Sequence, residues 1–260
     1  VSQEYERSRS INLQFLGQYD WTLAQNNNFS LMVGFENSAY RTENLWGNGA
    51  KLYNPTWPFL DNVIDNKNNG GAEYSLVHRG YFGRLRYDYA GKYYVTASLR
   101  RDGSSRFHKN HRWGTFWSAS AGWDISKENF MLDYKDIVDI LKFKFSYGQN
   151  GNDGIGTHFI AYADQYQISG GNGVWADGTL IYKGNKDITW EKSDAINTGF
   201  DYSFKKGLVS GSVEYYSRTV SDMLFNLPVA PSLGYSSVPY NVGKMRNNGF
   251  EIDVNVRPIN

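Results

Sequence analysis

The feature that most constrains this chain is an alternation of apolar and polar residues that recurs along it without any long apolar run. Between positions 81 and 89, apolar or aromatic residues and glycine occupy the odd positions, and Arg84, Arg86 and Asp88 lie between them. Because successive side chains of a β-strand point to opposite faces, this segment would have one apolar face and one charged face. The alternation resumes after the short turn at 90–92, so the sequence predicts an antiparallel hairpin.

Two architectures show this alternation. In a soluble β-sandwich the apolar faces of two sheets pack on each other, whereas in a transmembrane barrel one face of each strand contacts lipid and the other lines the lumen. No apolar run approaches the ~20 residues of a membrane helix, but barrel strands need apolar residues only at alternate positions. Both architectures are all-β, and periodicity alone leaves the choice between them open.

The composition excludes several functions. The chain has 27 basic and 26 acidic residues, so it has no excess of positive charge with which to bind nucleic acid. It contains no cysteine, so neither a disulfide framework nor a thiolate metal site can form. Its 20 Tyr, 15 Phe and 8 Trp suit membrane interfaces and polar binding surfaces alike.

The alternating segments are joined by connections of two lengths. Short turns are predicted at 24–28, 90–92 and 205–207, and long loops at 41–80, 102–114 and 222–247. If the strands run up and down in order, the short turns share one end of the sheet and the long loops share the other, as in outer-membrane barrels. Aromatic residues crowd the short-turn end, where we expect one interfacial girdle, although aromatic cross-strand pairs stabilise any hairpin. Its members are Trp21, Phe29, Tyr87, Tyr89, Tyr93, Tyr94, Tyr202 and Phe204. Together these features favour a barrel over a sandwich.

The pattern predicts about eleven strands, of which those at 158–167 and 178–183 are weak. The segment 126–139 is the best helical candidate, because its apolar residues are spaced to share one helical face. The stretch 41–80 is rich in Asn, Gly, Trp and Pro and is predicted to be irregular.

Six segments closely resemble the barrel of the SusC/RagA family, which consists of TonB-dependent outer-membrane transporters of Bacteroidetes-type bacteria. They are GKYYVTASLRRDGSSRF (91–107), FWSASAGWDISKENFM (116–131), LKFKFSYGQNGN (141–152), WEKSDAINTGFDY (190–202), GSVEYYSRTVSDMLF (211–225) and NVGKMRNNGFEIDV (241–254). The segments occur in the family's order and cover most of residues 81–257, whereas residues 1–80 match only in style.

The resemblance implies a transmembrane antiparallel β-barrel with long extracellular loops and short periplasmic turns, in a size class that includes plugged barrels of 22 strands. Residues 1–260 would form about half of such a barrel, as part of a C-terminal TonB-dependent receptor β-barrel domain. The family's plug domain, its TonB-contacting segment and its final strand have no match in this sequence.

The resemblance also implies a function. The family imports a glycan or oligopeptide nutrient across the bacterial outer membrane together with a SusD-like surface lipoprotein, using energy from the TonB complex. It implies no enzymatic activity and no cofactor. The alternative is a soluble or surface carbohydrate-binding β-sandwich or adhesin module.

The barrel interpretation assigns the alternating side chains to two environments. The residues expected to face lipid are Leu13, Phe15, Leu31, Val33, Leu85, Phe143, Phe200, Val213 and Ile252. The residues expected to face the lumen or plug are Arg84, Arg86, Lys142, Lys144, Glu251 and Asp253. Arg100 and Arg106 could pair with acidic lumen residues, and the intervening Asp102–Arg106 segment is expected to form a tight turn.

Candidate residues for substrate or partner contact are aromatic. They are Trp46, Tyr53, Trp57, Phe59, Trp175 and Tyr240. Exposed aromatic rings stack on sugars or anchor protein interfaces, although such loops also fold on themselves and bury their rings. His108 and His111 have no third ligand at a metal-site spacing, and no carboxylate pair stands out. The sequence therefore predicts no catalytic residue and no metal-binding or cofactor-binding residue.

Overall fold

The computed structural model describes residues 1–155, 159–169 and 177–257. The described chain is built of strands. They are β1 (Ser2–Leu23), β2 (Asn27–Leu52), β3 (Val63–Tyr89), β4 (Tyr93–Ser104), β5 (Trp113–Asp124), β6 (Val138–Asn152), β7 (Gln165–Ser169), β8 (Asp177–Tyr182), β9 (Glu191–Phe204), β10 (Val209–Ser221), β11 (Leu224–Pro228), β12 (Ser237–Asn241) and β13 (Lys244–Val256).

Nine of these strands form one antiparallel sheet in the order β1-β2-β3-β4-β5-β6-β9-β10-β13. Strands that follow one another around this sheet are neighbours along the chain, apart from two inserted hairpins. β7 pairs with β8, and β11 pairs with β12, each as a separate two-stranded sheet. The all-β fold and the up-and-down order are confirmed.

The two ends of the sheet differ as predicted. One end carries the tight turns after β1, β3 and β9, and positive φ angles at Ala24, Ala90 and Lys205 allow the chain to reverse there. The other end carries the connections after β2, β4, β6 and β10, which include both inserted hairpins; a further long connection, after β5 (125–137), lies at the short-turn end. We call these the short-turn end and the long-loop end.

Four expectations about elements were wrong. Nine strands rather than about eleven belong to the main sheet, because β7 and β8, which overlap the weak segments 158–167 and 178–183, pair with each other in a separate hairpin. The sheet is therefore less than half of a 22-stranded barrel. The segment 126–139 contains two 3₁₀ helices, Ile125–Lys127 and Asn129–Tyr134, rather than an α-helix. No side-chain hydrogen bond caps either one, and the segment only bridges two adjacent strands.

The stretch 41–80 is the third correction and the loop 102–114 is the fourth. Most of 41–80 continues β2 and β3 as a regular ladder, with one irregularity between Asn48 and Ala50. Its glycines weaken the strand pattern in the sequence, but they make room for large neighbours, since the Trp46 ring lies over Gly70. β4 likewise runs through Ser104, because it pairs with β3 across the predicted tight turn.

Buried apolar side chains are few in the described chain, and their main cluster lies at the long-loop end. Phe107, Phe116, Ile155, Ile188 and Trp190 pack together there with Ala161. A β-sandwich would instead bury an apolar face of each strand against a second sheet. Large apolar side chains remain exposed along β1, β4 and β13, which rules out the sandwich alternative for the described residues. Among those residues, no helix is long and apolar enough to cross a bilayer.

Candidate functional site

The main sheet has one continuous apolar face. Strand pairing places Phe143, Phe200, Val213 and Ile252 in a single row across four strands, so their side chains share one face. Every residue predicted to contact lipid lies on this face, which we call the apolar face. The others are Leu13, Phe15, Leu31, Val33 and Leu85. Most are exposed, and Ile252 retains 69% of its accessible surface.

The edge of the apolar face runs diagonally across the sheet. Counted from the short turns, the run of residues on this face that no polar residue interrupts ends at Ile11 on β1 and at Phe250 on β13. Following the pairs across the sheet, Phe250 lies in the row of Trp21, ten residues nearer the short turns than Ile11. Tyr81 on β3 and Tyr147 on β6 mark intermediate positions of the same edge.

This diagonal gives the strand tilt. A drift of ten residues over the eight steps between nine strands is about 1.25 residues per strand. With a rise of ~3.4 Å per residue and ~4.8 Å between strands, a band of constant height requires strands tilted by roughly 40°. Membrane barrels have strands tilted by ~35–45°, so the apolar face has the geometry of a horizontal membrane band.

The opposite face is polar and charged. Lys144 lies between two carboxylates and contacts Asp201 and Glu214 at 2.7 Å each. Pairing places Glu251 beside Glu214. In this part of the face lysines on β6 therefore lie next to carboxylates on β9, β10 and β13. All six residues predicted to face the lumen, which also include Arg84, Arg86 and Asp253, lie on this polar face.

The aromatic girdle at the short-turn end is largely on the apolar face. The Trp21 and Phe29 rings stack at 5.1 Å, and Phe29 contacts Tyr87 at 4.8 Å. Tyr94 is the exception, because its place in the β4 alternation puts it on the polar face. Its ring lies 4.4 Å from the Lys142 ammonium, so assigning it to the girdle was wrong.

The connection between β5 and β6 is tied to the sheet at the short-turn end by Glu128. This carboxylate accepts hydrogen bonds from Tyr93 at 2.5 Å, Lys92 at 3.1 Å and Trp123 at 3.1 Å. The hydrogen bond from Tyr93, followed by those from Lys92 and Trp123, lowers the pKa of Glu128 to about 2. The ionised side chain of Glu128 thus helps to hold the segment that the sequence pattern assigned to a helix, together with Lys127, which donates to the Gly91 carbonyl at 2.8 Å.

A cavity of about 620 Å³ opens on the polar face near the long-loop end. Its lining includes Glu36, Arg100 and Asp102, with Gln149 and Asn150 opposite. Arg100 binds both carboxylates, contacting Glu36 and donating from Nε to Asp102 at 2.6 Å. Its charge is therefore neutralised within the cavity wall, as expected for Arg100. The wall also contains His78, Arg79 and Asp153 beside amides and hydroxyls.

Asp153 connects the loop after β6 to the cavity wall. One carboxylate oxygen lies 2.6 Å from His78 Nε2, accepts from the Ser104 hydroxyl at 2.6 Å and lies 3.7 Å from Arg106 Nε. Burial by itself would raise the pKa of Asp153, but the hydrogen bonds from His78 and Ser104 hold it below its usual range. The carboxylate lies between the hydroxyl and the imidazole, so these three residues do not form the nucleophile–base pair of a hydrolase.

The predicted contact aromatics lie in different parts of the long-loop end. Tyr53, Trp57 and Phe59 are exposed in the connection between β2 and β3, and the Trp57 and Phe59 rings meet edge to face at 5.7 Å. Trp46 belongs to β2 and packs over a glycine, whereas Tyr240 is exposed on β12. Trp175 lies outside the described residues.

The Asn62 side chain shapes the exposed aromatic loop, and sequence analysis missed it. Its amide donates to the backbone carbonyls of Asn54 at 2.6 Å and Trp57 at 2.7 Å. Its oxygen accepts from the Asn54 backbone N–H at 3.1 Å. Three hydrogen bonds from one side chain hold the loop in a fixed shape, so Tyr53, Trp57 and Phe59 can stay exposed on an ordered backbone.

With this geometry established, comparison with known proteins identifies the class. Residues 2–258 match the family described as TonB dependent receptor-like, beta-barrel, and the chain belongs to this family. It is a family of outer-membrane transporters rather than enzymes, with the SusC/RagA type among its members.

Individual proteins that the chain resembles belong to the same family. The chain is 31% identical to the TonB-dependent receptor SusC of Bacteroides thetaiotaomicron over 98% of its own length and 25% of SusC. It is 37% identical to the TonB-dependent receptor P39 of Formosa agariphila over 68% of its length and 17% of P39. The solved structure of the RagAB peptide transporter superposes with a TM-score of 0.88 at 23% identity, over 97% of this chain and 28% of that one. The chain thus spans about a quarter or less of the curated relatives named here.

Proposed function

We propose that this chain forms part of the wall of an outer-membrane importer, with its apolar face in lipid and its polar face towards the lumen and plug. The observation that carries the proposal is the diagonal edge of the apolar face, because a tilt of roughly 40° turns it into a level membrane band. In a soluble sheet no membrane boundary would require the apolar residues of successive strands to end at one level. The nine lipid-facing and six lumen-facing assignments follow from this orientation.

The whole protein would import a nutrient with energy from the TonB complex. Support comes from its relatives, which are named as TonB-dependent receptors, and from the RagAB structure, which is named as a peptide transporter. We infer a glycan or an oligopeptide as the substrate and a SusD-like lipoprotein as the partner. The plug domain and the segment that contacts TonB would belong to other parts of the full-length protein.

The exposed loop that carries Tyr53, Trp57 and Phe59 is our candidate for contact with substrate or partner. Rings held on an ordered loop bind without losing much conformational entropy, and they can stack on sugars or fill pockets of a protein. Trp46 and Tyr240 remain weaker candidates, since neither shares this loop.

The test uses the full-length protein, tagged and purified from the outer membrane. We compare the wild type with Tyr53→Ala/Trp57→Ala/Phe59→Ala, and with Phe130→Ala as a control that removes an equally exposed ring at the short-turn end. The wild type and Phe130→Ala should retain a lipoprotein and take up labelled oligosaccharide or oligopeptide only when TonB is functional. The loop variant should assemble normally and lose the lipoprotein or the uptake. Uptake that persists without TonB would contradict the proposed function, whereas an unimpaired loop variant would contradict only the role of the loop.

A further inference from the structure

The long-loop edge of the apolar face carries a row of arginines. Going up each strand from the short turns, the first polar residue on this face is Arg9 on β1, Arg79 on β3 and Arg101 on β4. All three side chains are exposed. We call them the outer arginine row. Because the edge is level in a tilted barrel, the three guanidinium groups lie at similar heights just above the apolar band.

The outer arginine row is not neutralised by its neighbours. Among the described residues, no carboxylate forms an ion pair with Arg9, Arg79 or Arg101. Arg79 donates from Nε to the neutral Asn37 side chain at 3.3 Å, and the Arg101 guanidinium lies 5.6 Å from the Trp113 ring centroid. The positive charge of the row is therefore available to a ligand.

Two arginines next to Arg9, its cross-strand partner Arg41 and Arg7 further up β1, can be compared with the row. Arg41 is paired with two carboxylates, Glu43 at 2.7 Å and Glu73 at 2.8 Å. Arg7 lies beside Glu43 through strand pairing, but none of the described residues forms an ion pair with it. Among the described residues, Arg41 is thus neutralised by two carboxylates, whereas the outer arginine row and Arg7 above it have no ion pair.

An arginine at this height can satisfy two environments at once. Its aliphatic stem lies along apolar surface while its guanidinium reaches the polar layer, where the planar donors match a phosphate in bidentate geometry. In an outer-membrane barrel the long-loop end is extracellular, so this layer is the headgroup region of the outer leaflet. Over β1 to β4 the first polar residues of this face are the three arginines and Asn37, with no carboxylate among them, whereas a solvated charged rim would mix charges of both signs there.

We propose that the outer arginine row binds the phosphate groups of lipids in the outer leaflet and so fixes the barrel at one depth and forms a lipid-binding site on its outer wall. This proposal rests on the proposed function, since it requires the apolar face to contact lipid. It concerns the outer surface of the wall; of the three arginines, Arg79 also borders the polar-face cavity.

The test measures phosphate-dependent lipid binding by the full-length protein in neutral detergent. The probes are diphosphoryl lipid A, dephosphorylated lipid A and phosphatidylcholine, each titrated and detected as bound lipid by native mass spectrometry. The main variant is Arg9→Gln/Arg79→Gln/Arg101→Gln. The matched control, Arg84→Gln/Arg86→Gln, removes positive charge from the polar face of β3. A third variant replaces the three outer arginines with lysine, which keeps the charge but not the planar fork.

The wild type should bind diphosphoryl lipid A more tightly than the two other lipids. Each arginine contributes a factor of about five, so the triple glutamine variant should lose about 100-fold in affinity for the phosphorylated probe. The control should keep its affinity, and the lysine variant should fall between. Equal binding of the phosphorylated and dephosphorylated probes by the wild type, or undiminished binding by the glutamine variant, would overturn the proposal.

The proposed function fails in a different way. If the wild type is absent from the outer-membrane fraction, both the barrel orientation and the lipid site are wrong. If it is inserted and imports its substrate but shows no phosphate dependence, only the lipid site is wrong.

Discussion

Introducing one arginine on each face of β10, in two separate variants, tests which face of the sheet contacts lipid. Val213 lies on the apolar face between Phe200 and Ile252, near the middle of the apolar stretch of its strand. Its neighbour Ser212 lies on the polar face between Asp201 and Asp253. The substitutions Val213→Arg and Ser212→Arg therefore add the same side chain one residue apart, to lipid in one case and between two carboxylates in the other.

The two substitutions should lower the free energy of unfolding by very different amounts. An arginine near the bilayer midplane destabilises a barrel by ~2–4 kcal/mol, which lowers the folding equilibrium constant roughly 30- to 900-fold. Ser212→Arg should change stability by less than about 1 kcal/mol, because its charge meets two carboxylates and no lipid. The assay is guanidinium unfolding of the full-length protein in lipid vesicles, followed by tryptophan fluorescence. Equal costs, or a larger cost for Ser212→Arg, would refute the assignment of the faces.

Three further predictions concern the ends of the sheet. Glu128→Gln should loosen the connection between β5 and β6, seen as faster proteolysis of residues 125–137 with no loss of membrane insertion. Because the pKa of Glu128 is lowered in the folded protein, its stabilising contribution is complete above its usual value of 4.5 and is lost as the pH falls towards about 2, so wild type and variant should converge in acid. Phe116→Ala should cost ~3–5 kcal/mol of local stability and speed hydrogen exchange around Ile155 and Trp190, and unchanged exchange would contradict their shared packing. Asp153→Asn should speed hydrogen exchange in the loop after β6 while exchange in the strands stays slow. Unchanged exchange in that loop would contradict the role of Asp153.

The faces of the sheet could be predicted from the sequence because strand alternation is local. Phe143 and Lys144 are adjacent and must point in opposite directions once β6 is a strand, whichever strands are its neighbours. The same logic identified the short turns. It failed for Tyr94, where two successive tyrosines fit either phase and only one can lie on the apolar face.

Features that depend on contacts between distant residues could not be predicted. Asp153 meets His78 across 75 positions, and Lys144 meets Glu214 across 70, with no local pattern to indicate either partner. The upper parts of β2 and β3 were missed because asparagine and glycine are common in loops, whereas here long cross-strand pairing overrides their weak strand propensity. The prediction of a helix at 126–139 was wrong for a related reason. The spacing of its apolar residues suits a helix, but no tertiary packing stabilises one there.

The most direct test of the account measures which face of the sheet touches lipid. The chain contains no cysteine, so single cysteines introduced from 249 to 254 on β13 can each carry a spin label at a unique position within it. In the full-length protein in vesicles, labels at 250, 252 and 254 should be accessible to oxygen from the lipid phase, and labels at 249, 251 and 253 should not. Accessibility without a two-residue period, or with the opposite phase, would contradict the membrane orientation of this sheet.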